Sequence, residues 1–284
     1  MLKDYALKIL KKSLEYDVGF GDITTNSIIP KGVKAKGVIK AKEPCIVCGI
    51  DFIVAFFEEY GIKCKKLFND GEEAYGNILE FEGEARTILM VERTALNLLM
   101  HLSGIATMTN RVVKKAKSVN KNVRIACTRK TLPLLSPLQK YAVYVGGGDT
   151  HRFRLDDSVL IKDNHIAIVG VREAIKKAKE SVSFTKKIEI EVSNLEELKE
   201  ALEERADIIM LDNFKLEDIE KALKIIDEFE RKTNFRPIIE VSGGIKEDNI
   251  LEYAKYNVDV ISMGALTHSV KSVDMSLDIT FSAK

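Results

Sequence analysis

Between Thr128 and His165 the chain reads TRKTLPLLSPLQKYAVYVGGGDTHRFRLDDSVLIKDNH, which sets Arg129, Lys130, His151, Arg152 and Lys162 around a Gly146-Gly147-Gly148 turn. The formal net charge of the whole chain is only +1, so this is a local concentration of positive charge. Arginine forks hold carboxylates and phosphates through paired hydrogen bonds. Lys162 closes the apolar run Ser158-Val159-Leu160-Ile161. A lysine at the end of a buried strand is costly unless an anion is meant to meet it. The cluster therefore points to a pocket for a strongly anionic substrate. Its plainer reading is a surface of salt bridges to Asp149, Asp156 and Asp157.

Two further groups carry chemistry. Glu191 and Asp212 end successive apolar runs and so stand side by side, where paired acids hold a divalent metal, directly or through water, or accept ribose hydroxyls. Glu189 shares the phase of Glu191, so it should lie deeper on the same face and need a partner. The glycine sites Ser242-Gly243-Gly244 and Met263-Gly264-Ala265 follow the last two apolar runs, and glycine lets backbone N–H groups approach a phosphate closely. His268 follows shortly after and could assist. No serine sits on a nucleophile elbow and no zinc-protease helix motif occurs.

The elements that position these groups alternate. Strand patterns fall at 123–128, 158–163, 187–193, 207–212, 237–242 and 258–263, with amphipathic helix patterns such as 195–204 and 215–231 between them. That alternation predicts parallel strands joined by right-handed crossovers, closing or nearly closing into an α/β barrel. The chemistry-bearing residues fall at the ends of the strands, where barrel sites lie. The first hundred or so residues differ: short strand patterns (KAKGVIKAK, NILEFEG), glycine turns and two helices predict an α+β domain. The alternating segment around 272–284 is expected to return to its sheet.

Composition narrows the classes. At 284 residues, 45% hydrophobic and 31% charged, the chain reads as globular. No apolar run reaches the ~18 residues of a bilayer span. The N-terminal MLKDYALKILKKSLEYD is an amphipathic helix pattern rather than a secretory signal, and the expectation is cytoplasmic. The near-neutral charge argues against nucleic-acid binding. Four cysteines are too few for a disulfide scaffold, and the lone Cys45–Cys48 pair gains no partners at useful spacing from Cys64 and Cys127.

The motifs GDIT (21–24), ERTALNLLMHLSGIAT (92–107), TRKT (128–131), KYAVYVGGG (140–148), HR (151–152), LIKDNH (160–165), EIEVSNLEE (189–197), LDN (211–213), SGGI (242–245) and GALTHSV (264–270) together resemble the quinolinate phosphoribosyltransferase family, over nearly the full length. The resemblance implies an incomplete α/β barrel of about seven strands at 109–271, preceded by an α+β open-sandwich N-terminal domain at 1–108. It implies transfer of a phosphoribosyl group from phosphoribosyl pyrophosphate to quinolinate, with Mg2+, in NAD biosynthesis. It implies a homodimer or larger homo-oligomer, with Arg93 contributed across the interface. Quinolinate would meet Arg129, His151, Arg152 and Lys162. Phosphoribosyl pyrophosphate would meet Lys130, Glu191, Asp212, Ser242, Gly243, Gly244, Gly264 and His268. Lys130, Lys162, Glu191 and Asp212 would carry the catalysis.

The chain departs from the family where Leu134-Leu135-Ser136 replaces the usual glycine and arginine after the proline of TRKTxPGxR. It also has Thr150 where asparagine usually precedes His-Arg. Three alternatives stay open on sequence grounds: a phosphoribosyltransferase for a monoacid such as nicotinate, a Schiff-base aldolase using Lys162, and a silent ligand-binding paralogue.

Overall fold

The computed structural model describes residues 1–280. The elements begin with α1 (Leu2–Val18), α2 (Ile23–Ile28), β1 (Lys34–Ile46), α3 (Ile50–Glu59), β2 (Lys63–Lys66), β3 (Glu73–Glu84) and α4 (Ala85–Val119). There follow β4 (Arg124–Ala126), α5 (Ser136–Val145), β5 (Val159–Ile161), α6 (Asp163–Val169), α7 (Val171–Ser181), β6 (Ile188–Val192) and α8 (Leu195–Glu203). The rest are β7 (Ile208–Asp212), α9 (Leu216–Thr233), β8 (Ile238–Ser242), α10 (Ile250–Ala254), β9 (Val260–Ser262), α11 (Ala265–His268) and β10 (Met275–Thr280). By its internal contacts the chain forms two compact units. One gathers residues 1–110, 131–147 and the segment from 269, and the other gathers 111–130 and 148–268. The segment 131–147, which the sequence puts inside a 109–271 barrel, thus groups with the first unit.

The first unit is built on an antiparallel sheet of order β10-β1-β3-β2. Ala35, Ile39 and Ala41 of β1 alternate inward and are buried. Ile50, Phe52, Ile53, Phe56 and Phe57 of α3 are buried too. The Phe57 and Phe81 rings meet edge-on, centroids 5.8 Å apart. Asp70 caps α3 by accepting from the Gly49 and Ile50 backbone N–H groups at 2.9 Å. β10 pairs antiparallel with β1 from Met275 to Thr280. The rest of the expected 272–284 strand, residues 281–284, lies outside the described residues. α4 runs unbroken through Gly104, and a Cβ there would come within 3.1 Å of the Ser272 Cα. That glycine marks a close crossing rather than a helix stop. Cys45 and Cys48 are buried free thiols. Burial, with Glu43 and Glu73 nearby, pushes the Cys45 thiol up to about 11, the reverse of a reactive cysteine.

The second unit has six parallel strands in the order β4-β9-β8-β7-β6-β5. This is the chain order wrapped into a ring, with β4 beside β9. On its other side β4 makes a one-residue parallel bridge, Ala126 to Asp149. The bridge stands as a rudimentary seventh rung between β4 and β5, and the ring is an incomplete barrel. Helices cover the outside through narrow apolar stripes: Leu198, Ala201 and Leu202 on α8, and Ile219, Ala222 and Ile226 on α9, all buried. The Asn194 side chain caps α8 by accepting from the Glu197 N–H at 2.9 Å. Along β6, Ile188, Ile190 and Val192 take one phase, and Glu189 and Glu191 take the other. Among the described residues no helix is long and apolar enough to cross a membrane.

Candidate active site

A cavity of about 430 Å³ opens at the C-terminal ends of the second unit's strands. Leu160 and Lys162, Glu191, Met210 and Asp212, Glu240 and Ser242, and Ser262 line it. Each group shares the pleat phase of its strand, which is why strand alternation delivers them to one surface. The loops add Arg129, Lys130, His151, Arg152, Asn213, Gly243 and Gly244. The structure thus gathers ten of the residues expected from sequence around one space.

His151 is held by an Asx turn: the Asp149 carboxylate accepts from the His151 N–H at 2.8 Å, and the backbone at His151 is left-handed, φ 50°. The Arg152 N–H donates to Nδ1 at 2.8 Å. Nε2 faces Glu189 at 3.4 Å and Glu240 at 3.3 Å. Burial opposes a charged ring, but the two facing carboxylates of Glu189 and Glu240 outweigh it and raise His151 to about 10. Burial raises the Glu189 carboxyl, and the Glu240 charge adds to this against the opposing pull of His151. The ligand atoms of His151, Glu189 and Glu240 lie within 4.8 Å of one another, an arrangement that could also hold a cation. Glu189 therefore has His151 as its charge partner at ion-pair distance, while its buried Oε1 makes no hydrogen bond. Glu240 went unnoticed in the sequence. The signal was there, since it shares the phase of Ser242 as Glu189 does that of Glu191.

Arg152 is buried, its Nη1 donates to the Ser158 carbonyl at 3.0 Å, and its Nε finds no hydrogen-bond partner. Burial and the nearby Arg129 charge lower its guanidinium pKa. Of the aspartates that could have absorbed this cluster, Asp149 pairs with Arg124 at 3.5 Å and Asp156 with Arg154 at 3.2 Å. Lys162 pairs with Glu191.

The glycine-turn side of the cavity is made by close backbone packing. Gly243 has φ 99°, and a Cβ there would fall on the Asn213 side chain and reach the Asn213 backbone nitrogen at 2.8 Å. Asn213 in turn donates through Nδ2 to Asp212 at 2.8 Å and through its N–H to the Ser242 carbonyl at 2.9 Å. The helices after these turns, α10 and α11, have five and four residues. Any phosphate contact therefore falls to turn N–H groups and cations and not to a helix end. Gly264 and His268 do not line the cavity but adjoin it. A Cβ at Gly264 would meet the His268 ring at 3.0 Å and the Lys130 Cδ at 3.1 Å. Thr267 Oγ1 donates to the Lys130 carbonyl at 2.8 Å. Arg93 is exposed on α4 in the first unit and is not among the lining residues.

A second cavity, about 380 Å³, lies in the first unit between residues such as Leu10, Leu98, His101 and Leu132. Its one ionisable side chain is His101, whose pKa burial lowers. It lacks the charge that the strand-end cavity concentrates.

Sequence models of quinolinate phosphoribosyl transferase match here, the C-terminal domain over residues 105–278 and the N-terminal domain over 22–103. The chain belongs to the quinolinate phosphoribosyl transferase family. Within it, the chain is 93% identical over 279 residues to a probable carboxylating nicotinate-nucleotide pyrophosphorylase of Methanocaldococcus jannaschii, covering 98% of this chain and 99% of the relative. It is 34% identical to the carboxylating nicotinate-nucleotide pyrophosphorylase of Homo sapiens, over 86% and 82% of the two chains. Among solved structures, the nicotinate-nucleotide pyrophosphorylase of Francisella tularensis superposes with a TM-score of 0.89 at 38% identity, covering 98% of this chain and 97% of that one.

Proposed function

We propose that the protein joins quinolinate to phosphoribosyl pyrophosphate, giving nicotinate mononucleotide, pyrophosphate and carbon dioxide, a step of NAD biosynthesis. The observation that carries this is the composition of one cavity: Arg129, Arg152 and Lys162 for a dicarboxylate, and Lys130, Asp212, Gly243 and Gly244 for a phosphorylated sugar. Both substrates are polyanions, so cations must be concentrated locally in a chain of net charge +1.

Arg129, Arg152 and Lys162 orient the two carboxylates and aim the ring nitrogen at the anomeric carbon. The nitrogen–carbon bond forms as pyrophosphate leaves. Glu191 and Asp212 accept from the ribose hydroxyls and favour the positive charge that develops on the sugar. Lys130, with His268 beside it, and the Gly243-Gly244 turn receive the departing pyrophosphate. The ring nitrogen is now cationic, so the adjacent carboxylate leaves as carbon dioxide. Its electron pair stays on the ring carbon, which takes up a proton. Positioning and electrostatics supply the catalysis without a covalent intermediate. Glu191 and Asp212 line the cavity with two carboxylates, an oxygen donor set that suits Mg2+. When bound, the ion would neutralise charge on the pyrophosphate.

Arg93, exposed on α4, is assigned to a neighbouring subunit's site in a homodimer or larger assembly, and the setting is cytoplasmic. The Schiff-base alternative is disfavoured because the Lys162 ammonium is engaged by the Glu191 carboxylate. The test is an end-point assay with magnesium, phosphoribosyl pyrophosphate and either quinolinate or nicotinate, following nucleotide and labelled carbon dioxide. Nucleotide with carbon dioxide from quinolinate, lost in Lys162→Ala, supports the proposal. Nucleotide from nicotinate alone overturns it.

A further inference from the structure

The reading above assigns Lys162 to the acid substrate and Glu191 to the ribose, yet the two side chains bind each other. Lys162 Nζ donates to Glu191 Oε1, and both residues line the same cavity. One contact thus occupies a group needed by each substrate. We infer that the Lys162–Glu191 ion pair is a latch coupling the two subsites, so that the acid substrate must draw Lys162 away before Glu191 can hold the ribose hydroxyls. The inference rests on the proposed function.

Three observations say how the latch moves. Glu191 is fixed: it lies within β6, which is bonded to β5 on one side and β7 on the other, and its side chain is only 15% exposed. Lys162 is the mobile partner. Its backbone is anchored just beyond β5, where its N–H donates to His165 Nδ1 at 2.9 Å. Its side chain is 41% exposed on a flexible four-carbon stem. Finally, a fixed cation stands ready for an incoming carboxylate. Arg152 is held through Nη1 by Ser158, and its buried Nε has no hydrogen-bond partner. A dicarboxylate seated on Arg152 and Arg129 presents its second carboxylate to Lys162 in competition with Glu191. Exchange of partners leaves Lys162 charge-paired throughout, and it turns the Glu191 carboxylate, which is only 15% exposed, from the ammonium to the ribose hydroxyls.

The sign of the coupling separates this from ordinary electrostatics. A bound dianion should repel a second polyanion and weaken its binding. The latch requires the reverse, with the dicarboxylate tightening phosphoribosyl pyrophosphate by about tenfold, and reciprocally. Likewise, deleting a lysine cation from an anion site should weaken binding, whereas here it frees Glu191.

The experiment titrates phosphoribosyl pyrophosphate calorimetrically into the enzyme, with magnesium constant, with and without saturating benzene-1,2-dicarboxylate. That probe has the paired carboxylates but no ring nitrogen to react. In the wild type the dicarboxylate should lower the dissociation constant about tenfold. Lys162→Met should bind phosphoribosyl pyrophosphate more tightly than the wild type and no longer respond to the dicarboxylate. Glu191→Gln provides a second variant, and there too the response should vanish. An unchanged or weakened affinity in the wild type on adding the dicarboxylate overturns the latch. If quinolinate still yields nucleotide and carbon dioxide in that case, the latch alone falls. If neither ligand binds the wild type, the proposed function falls and takes the latch with it.

Discussion

Gly243 and Gly244 are adjacent in one turn, both with positive φ, and replacing each by alanine should give clearly different results. At Gly244, φ is 64° and a Cβ would find nothing within 4 Å. Alanine there suffers the left-handed penalty of about 1–2 kcal/mol. It regains about 0.4–1 kcal/mol through a less flexible unfolded chain. The net loss is about 0–1.6 kcal/mol. At Gly243, φ is 99°, beyond the left-handed well, and the added carbon lands on Asn213. Asn213 must shift, and it stands to lose its bonds to the Ser242 carbonyl and the Asp212 carboxylate. Each such bond contributes about 1 kcal/mol, so Gly243→Ala should cost about 2–3 kcal/mol more than Gly244→Ala. For a chain of this size that separates the two melting temperatures by about 4 °C or more. Gly243→Ala should also weaken phosphoribosyl pyrophosphate binding, because Asp212 loses its orienting partner, while leaving benzene-1,2-dicarboxylate binding near wild type. Differential scanning calorimetry and titration read both effects. Equal melting temperatures for the two variants, or equal losses for both ligands, would refute the assignment of Gly243 to the Asn213–Asp212 side of the site.

Other expectations follow from the same geometry. Lys162→Ala should lower kcat/KM for quinolinate by about a hundredfold or more, equivalent to about 2.7 kcal/mol, in steady-state assays. His151 should not titrate between about pH 6.5 and 9 in a nuclear magnetic resonance experiment, made tractable by only four histidines. In Glu240→Gln its midpoint should fall. Because the folded value is raised, the stability this cluster contributes is complete below about 6.5, the unfolded value, and fades as pH rises through about 10. Loss of stability on lowering pH from 8 to 6 at this cluster would contradict that sign. Leu134 is 73% exposed with φ 65°, so Leu134→Gly should relieve backbone strain and raise the melting temperature by about 1–2 °C. Mixed, subunit-exchanged Arg93→Ala and Lys162→Ala enzymes should recover about a quarter of wild-type activity, and no recovery would remove Arg93 from a shared site.

The barrel was legible because its strands are short apolar runs ending in chemically distinctive residues. Each of the six sequence-expected strands encloses an observed one, as 207–212 does Ile208–Asp212. Lys162, Glu191 and Asp212 could be placed because a strand end fixes both position and phase. What the sequence concealed lies in side-chain pairing between distant segments. Glu240 sits within an ordinary apolar run, and only its phase relative to Ser242 marks it as inward. That His151 would bind two glutamates, or Lys162 one, depends on rotamers that periodicity does not encode. β2 (Lys63–Lys66) was missed because KCKK is nearly all charged, and it is a strand only because β3 lends it a ladder.

The return of β10 to β1 has a consequence for how the protein is made. On the ribosome β1 can gain β3 early, but its other edge stays open until all the barrel strands have been synthesised. An unpaired edge invites pairing with another nascent chain, and charged side chains are the usual safeguard. Lys36, Lys40 and Lys42 supply them at alternate or nearby positions along this strand. When β10 arrives, Asp278 meets Lys40 at 2.8 Å and Asp274 meets Lys42 at 3.6 Å. Lys40 and Lys42 thus repel the wrong strand during translation and select the right one at its end.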